Sequence, residues 1–272
     1  MALRIIVSLI GIPFVFLTLY VFPAWAVPLA ITLISCISVH ELLSATGFVK
    51  NKLMALSAIV FSALVIPWNY FGGNLMFAYS ALFAFVFILF LIALFNHKTV
   101  TFEQICGAFF TALFVPLAFS SIVRIRCMSA GDFWVLLPFL VSWCSDTFAY
   151  FTGVFFGKHK LAPAISPKKT IEGSVGGVLG AIVCCCLYAF ICSVFFHYEA
   201  PIFAYALIAL IGSVISQFGD LALSFVKRKF GLKDFGKIFP GHGGMLDRFD
   251  SVLFAAPAVE IMLTVLISFA VL

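Results

Sequence analysis

The stretch LMFAYSALFAFVFILFLIALF, residues 75–95, carries no charged side chain. At about 1.5 Å per helical residue it can cross the ~30 Å hydrocarbon core of a bilayer, and comparable runs recur along the chain. Nine spans are expected: Arg4–Phe22, Ala24–Val39, Leu53–Trp68, Leu75–Phe95, Gln104–Val123, Asp132–Phe151, Ser174–Phe196, Ile202–Val226 and Val252–Leu272. The second and third are short. Backbone in lipid must satisfy its own hydrogen bonds, so the spans are helices and the fold class is an all-α polytopic membrane protein of about nine transmembrane helices. Composition agrees: the mean hydropathy is +1.21 and only 10% of residues are charged, against about 25% in soluble chains.

The first run, with Arg4 ahead of it and Ala24-Trp25-Ala26 behind it, has the outline of a signal peptide. It is longer than the roughly 7–15-residue core of such peptides and further spans follow, so a retained first helix is expected. Alternating the loops across the membrane puts fourteen of the sixteen basic residues on the side of the amino terminus, leaving Arg124 and Arg126 opposite. The positive-inside rule makes the rich side cytoplasmic, which predicts a cytoplasmic amino terminus and an extracytoplasmic carboxyl terminus. The eight cysteines include no CxxC pair, and several lie inside spans. They read as small apolar helix residues rather than metal ligands.

Residues 1–130 have short, featureless loops and read as membrane scaffold, while residues 131–272 hold the polar material and read as the catalytic region. Of the 27 charged residues, nine fall between Ser224 and Asp250, together with His242 and the glycines Gly231, Gly236, Gly241, Gly243 and Gly244. A second polar loop, GKHKLAPAISPKKTIEG, spans residues 157–173. The helix after it opens with two overlapping GxxxG pairs, Gly173/Gly177 and Gly176/Gly180. They bare one face for close helix contact, within one subunit or between two.

Acids inside membrane spans are costly and point to function. Asp146 precedes Gly153 by seven residues and Asp220 precedes Lys227 by seven, so both lie about 10 Å inside the cytoplasmic edge. Asp247 and Asp250 stand at the cytoplasmic start of the last span, spaced to share a helix face. Four carboxylates at one depth repel unless cations join them, and hard oxygen ligands suit Mg²⁺. Lys168, Lys169, Lys227, Arg228, Lys233 and Arg248 would attract anions, and Gly243 and Gly244 let backbone N–H groups approach a phosphate. Carboxylates, metal and cations together are equipment for handling phosphates. Plainer readings stand beside these. Lys227-Arg228-Lys229 is also a basic helix flank, Asp247 with Arg248 an interfacial ion pair, and Asp250 an acid favoured at a helix amino terminus. His40-Glu41 has no second His and is no zinc motif; GVFFGK, residues 153–158, is one residue short of the P-loop spacing.

The 27 residues from Ser224 to Asp250 closely resemble the signature of the phosphatidate cytidylyltransferases, or CDP-diacylglycerol synthases. Ser224, Lys227, Arg228, Lys233, Asp234, Gly236, Pro240, His242, Gly243, Gly244, Asp247, Arg248 and Asp250 are all in place. SDTFAYFTG, FGKHKLAPAISPKKTIEGSVGG and QFGDLALSFVKR resemble the same family, so the likeness covers roughly residues 130–260. The resemblance implies that CTP and phosphatidate give CDP-diacylglycerol and pyrophosphate, a step of phospholipid biosynthesis. It implies Mg²⁺, with K⁺ in the same site, a homodimer, and a bacterial inner membrane with the site facing the cytoplasm. It implies no nucleic-acid partner. Asp220 and Asp247 are expected as principal metal ligands, with Asp146 and Asp250 as further ligands. Lys168, Lys227, Arg228 and Arg248 are expected to act on the phosphates. Lys169, Ser166, Ser224, Lys233, His242, Gly243 and Gly244 are expected to bind substrate, although a purely structural turn role for His242 fits nearly as well. Three rival readings remain: a cytidylyltransferase acting on another lipid phosphate, a transporter with midspan acids, and a CDP-alcohol phosphotransferase. The acids near one edge and the lack of a repeat tell against the second. The absence of a DG-x2-AR pattern tells against the third.

Overall fold

A computed structural model describes residues 11, 13–47, 51–198, 201–239 and 243–269. Residues 4–10 and 12 of the expected first span lie outside these residues. Of it, Leu17–Val21 forms a π-helical turn that ends at the extended Phe22. Among the described residues, eight helices long and apolar enough to cross a membrane follow. They are α1 (Ala26–Thr46), α2 (Lys52–Tyr70), α3 (Leu75–Phe95), α4 (Phe102–Arg126), α5 (Leu137–Phe156, entered through the single turn Gly131–Trp134), α6 (Ile171–Phe196), α7 (Ile202–Lys229) and α8 (Leu246–Ser268). Between α5 and α6 lies the one sheet among the described residues, an antiparallel hairpin of β1 (Lys160–Ala162) and β2 (Ser166–Thr170).

Several boundaries differ from the hydropathy reading. α1 continues seven residues beyond Val39, through His40 and Glu41 to Thr46, and stops at Gly47, whose φ of 64° suits a residue without a side chain. α8 starts at Leu246 rather than Val252, taking both Asp247 and Asp250 into its first turns. Helix ends are set by backbone hydrogen bonding and caps, which polar residues join as readily as apolar ones. Asn51 accepts from the N–H groups of Leu53 and Met54, Asn74 from Met76, and Thr170 from Gly173. These side chains satisfy donors that the first helical turn leaves over.

The chain divides into two compact units: Met1–Cys127 with Phe230–Phe249, and Met128–Lys229 with Asp250–Leu272. In the first, α1, α2 and α4 pack together and α3 lies against α2. The Ser35 and Ser62 hydroxyls join α1 to α2 at 3.0 Å, and the Phe61 and Phe85 rings stack at 4.4 Å between α2 and α3. α3 buries only Phe85 and Leu89, and rings such as Phe83 and Phe87 face outward. Outward-facing apolar side chains on a helix of this length suit a lipid solvent.

In the second unit α5, α6 and α7 form a tight three-helix core. Both GxxxG pairs of α6 turn to α5 of the same chain. A Cβ at Gly173 would sit 2.7 Å from the carbonyl oxygen of Ala149, and one at Gly177 2.7 Å from that of Ser145. At Gly176 and Gly180 it would collide with Thr152 and Phe148. Gln217 of α7 then knits the three helices together. Its amide nitrogen donates to the Ser145 hydroxyl at 2.9 Å and to the Ser174 carbonyl at 3.1 Å, and its oxygen accepts from the Ser174 hydroxyl. Replacing Gly177 by Val should therefore overpack the α5–α6 seam and cost about 1–3 kcal/mol. Thermal unfolding in detergent should show a lowered midpoint for Gly177→Val, and almost none of that shift for Val175→Ala at an outward position.

Candidate functional site

The second unit brings a set of carboxylates and cations together from four elements. Asp146 comes from α5, Lys168 and Lys169 from β2, Asp220, Ser224, Lys227 and Arg228 from α7, and Asp250 from α8. Lys169 forms an ion pair with Asp220, whose other oxygen accepts from the Ser224 hydroxyl at 3.2 Å. Lys227 Nζ lies 3.7 Å from an Asp250 oxygen, with both side chains largely out of solvent. The Ser251 hydroxyl donates to Asp146 at 2.9 Å, while the Ser251 N–H donates to Asp250 at 2.9 Å. The charges of Asp220 and Asp146 both act on Asp250.

The hairpin explains how two adjacent lysines take different surroundings. Side chains alternate along a strand; Lys168 is exposed, whereas Lys169 is half-buried against Asp220. Ser166 pairs with Ala162 at the hairpin's far end, and the Arg228 guanidinium donates to the neighbouring Ile165 carbonyl at 3.3 Å. The base of the hairpin is fixed by Glu172, which accepts from the Lys158 and His159 N–H groups and lies 2.6 Å from the His159 ring. Lys227 is 8% exposed, which sets it apart from the exposed Arg228 and Lys229 beside it.

The first unit contains the rest of the signature, from Phe230 to Phe249. Pro240, Gly241 and His242 lie outside the described residues. Asp247 is buried, and its Oδ2 accepts three backbone hydrogen bonds: from Phe235 at 2.8 Å, Gly236 at 3.4 Å and Gly244 at 2.9 Å. Gly243 sits at φ 85°, where only glycine is unstrained, and its carbonyl accepts from the Phe239 N–H at 3.0 Å. Lys233 and Arg248 are exposed.

The donor chemistry of the α5, α7 and α8 carboxylates fits a hard divalent cation. It consists of carboxylate and hydroxyl oxygens with no thiolate or imidazole. Among the described residues no group of three or more His, Cys, Asp or Glu side chains converges on one point. Mg²⁺ does not require such a cage, because it is commonly held by one or two carboxylates, waters and substrate phosphates. Three polar residues to which the sequence reading assigned no role make contacts within their own units. Ser251 joins Asp146 to Asp250, Gln217 locks the helices carrying Asp146 and Asp220, and Glu41 of α1 meets the signature loop. Adjacency to Asp250 was the one signal available for Ser251; nothing local marked Glu41.

Comparison with known proteins gives this chemistry a family. A phosphatidate cytidylyltransferase of Staphylococcus saprophyticus is 38% identical over 184 residues, covering 68% of each chain. One from Staphylococcus epidermidis is 34% identical over 232 residues, 85% of this chain and 87% of the relative. One from Staphylococcus aureus is 37% identical over 184 residues, again 68% of each. The model of the Cytidylyltransferase family matches residues 2–266, nearly the whole chain, and the chain belongs to that family.

Proposed function

We propose that the chain transfers the cytidylyl group of CTP to phosphatidate, forming CDP-diacylglycerol and pyrophosphate. The observation that carries this reading is the gathering of Asp146, Asp220 and Asp250 on apolar helices with Lys227 and with Lys169 of β2, in a chain that carries the cytidylyltransferase signature. Relatives of similar length bear the name of this activity.

An oxygen of the lipid phosphate attacks the α-phosphorus of CTP. The bond from that phosphorus to the β-phosphate bridging oxygen breaks, and pyrophosphate leaves. The attacking oxygen is already ionised at neutral pH, so no strong general base is needed. The task is to bring two polyanions together and to stabilise charge on the leaving group, which is positioning and electrostatics. The exposed cations Lys168, Arg228, Lys233 and Arg248 attract the phosphates. Lys169 and Lys227 hold Asp220 and Asp250 in place. Asp220 and Asp250, with Asp146 beside them, would hold a divalent cation; bound there, Mg²⁺ supplies positive charge to the triphosphate and its leaving group. A K⁺ ion in the same site rests on the family resemblance alone, as does a homodimer. Asp247 shapes the glycine loop through the three N–H groups it accepts. The basic loops favour a cytoplasmic site in a bacterial inner membrane, which phosphatidate reaches from the inner leaflet.

The reading is tested by following pyrophosphate and CDP-diacylglycerol released by the purified protein with CTP, phosphatidate and Mg²⁺. Product should require both substrates, and Asp220→Asn or Asp250→Asn should lose about a hundredfold or more in kcat. A folded wild-type protein that releases nothing with phosphatidate but turns over another lipid phosphate would replace the substrate. One inactive with every lipid phosphate would overturn the enzyme reading. Chelation should separately abolish turnover, with added Mg²⁺ restoring it; full activity in excess chelator would remove the metal from the proposal.

A further inference from the structure

Glu41 is a buried carboxylate in the helical interior of α1, in a half of the chain with no likeness to the signature. Its two oxygens take one backbone hydrogen bond each, Oε1 from the Met245 N–H at 3.0 Å and Oε2 from the Leu246 N–H at 2.9 Å. These are donors at the start of α8, a helix end where a negative charge is favoured. The glycines of the loop fit around the same carboxylate. A Cβ on Gly236 or on Gly244 would fall inside van der Waals contact with Glu41. Asp247 binds the loop from the other end, through the N–H groups of Phe235, Gly236 and Gly244. Two buried carboxylates thus share the loop's backbone donors, and one of them lies more than 200 positions away in sequence.

We propose that Glu41 is a positioning residue for the cytidylyl transfer, fixing the glycine loop and the first turn of α8 that carries Asp247. It touches backbone and acts through the loop. Gly244 is required where it stands because the Glu41 carboxylate occupies the space its side chain would need, and at Gly236 the carboxylate and the Gly244 backbone together fill that space. This inference rests on the proposed reaction for its kinetic consequence, but the loop contact can be read without any turnover.

The test uses the full-length protein in detergent, as wild type, Glu41→Gln, Glu41→Ala, Gly244→Ala and the double variant Glu41→Ala with Gly244→Ala. Hydrogen exchange of peptides covering residues 243–249 reads the loop, and kcat with the separate KM values for CTP and phosphatidate reads its use. Glu41→Gln removes the charge at nearly constant shape. It should speed exchange at 243–249 while the α5–α7 peptides stay unchanged. It should also lower kcat/KM for CTP about tenfold or more, with KM for phosphatidate within about twofold. Gly244→Ala should be damaging in the wild-type background and add little once Glu41 is Ala, because the clash has gone. Wild-type exchange at 243–249 in Glu41→Gln would overturn the proposal, as would losses from Glu41→Ala and Gly244→Ala that multiply as for independent sites. If the exchange result holds and the wild type shows no cytidylyl transfer, the reaction is wrong and the loop contact stands. Exchange rising equally across all helices would mean that Glu41 holds the fold as a whole, which also overturns it.

Discussion

A carboxylate placed among apolar helices must find donors or cations, because burying it unpartnered costs several kcal/mol. That constraint organises this molecule. Glu41 and Asp247 take backbone N–H groups of the signature loop. Asp220 and Asp250 take lysines, and Asp146 takes the Ser251 hydroxyl. The loop between α7 and α8 and the hairpin between α5 and α6 gain much of their shape from these pairings. The apolar helices supply length and packing; the acids decide which polar segments are drawn to them.

Close helix packing makes the second set of pairings possible. The glycines of α6 let α5 approach until backbone carbonyls lie where side chains would otherwise be. Gln217 then fixes α7 against both helices through hydrogen bonds that leave its amide satisfied. Asp146 follows Ser145 directly and Asp220 lies three residues beyond Gln217. The polar lock and the acids therefore share helical turns, and a shift of one helix would move the chemistry with it. Exposed lysines and arginines complete the arrangement without entering the core.

Much of this was legible in the chain, and the failures have physical causes. Apolar runs revealed the helices because a span of that length has few other uses. Their ends were less legible. α1 runs on through His40 and Glu41, and α8 begins at Leu246, because polar residues continue a helix whose backbone bonds are satisfied. The β1–β2 hairpin escaped notice, since SPKKT shows no alternation of apolar and polar residues. The acids stood out as charges in oily surroundings. Glu41 had the same chemistry but lay just beyond the expected span, which ended at Val39, and its partners lie too far along the chain for any spacing rule to reach them. GxxxG announced close contact without its partner, which three-dimensional packing identifies as α5.

On the proposed reading the protein positions two polyanions, and the lipid phosphate itself displaces pyrophosphate. The most direct measurement of that claim is exchange of labelled pyrophosphate into CTP, with Mg²⁺ present and phosphatidate left out. Direct transfer predicts no exchange until the lipid is added. Label entering CTP without any lipid phosphate would reveal a cytidylylated protein intermediate and contradict the account.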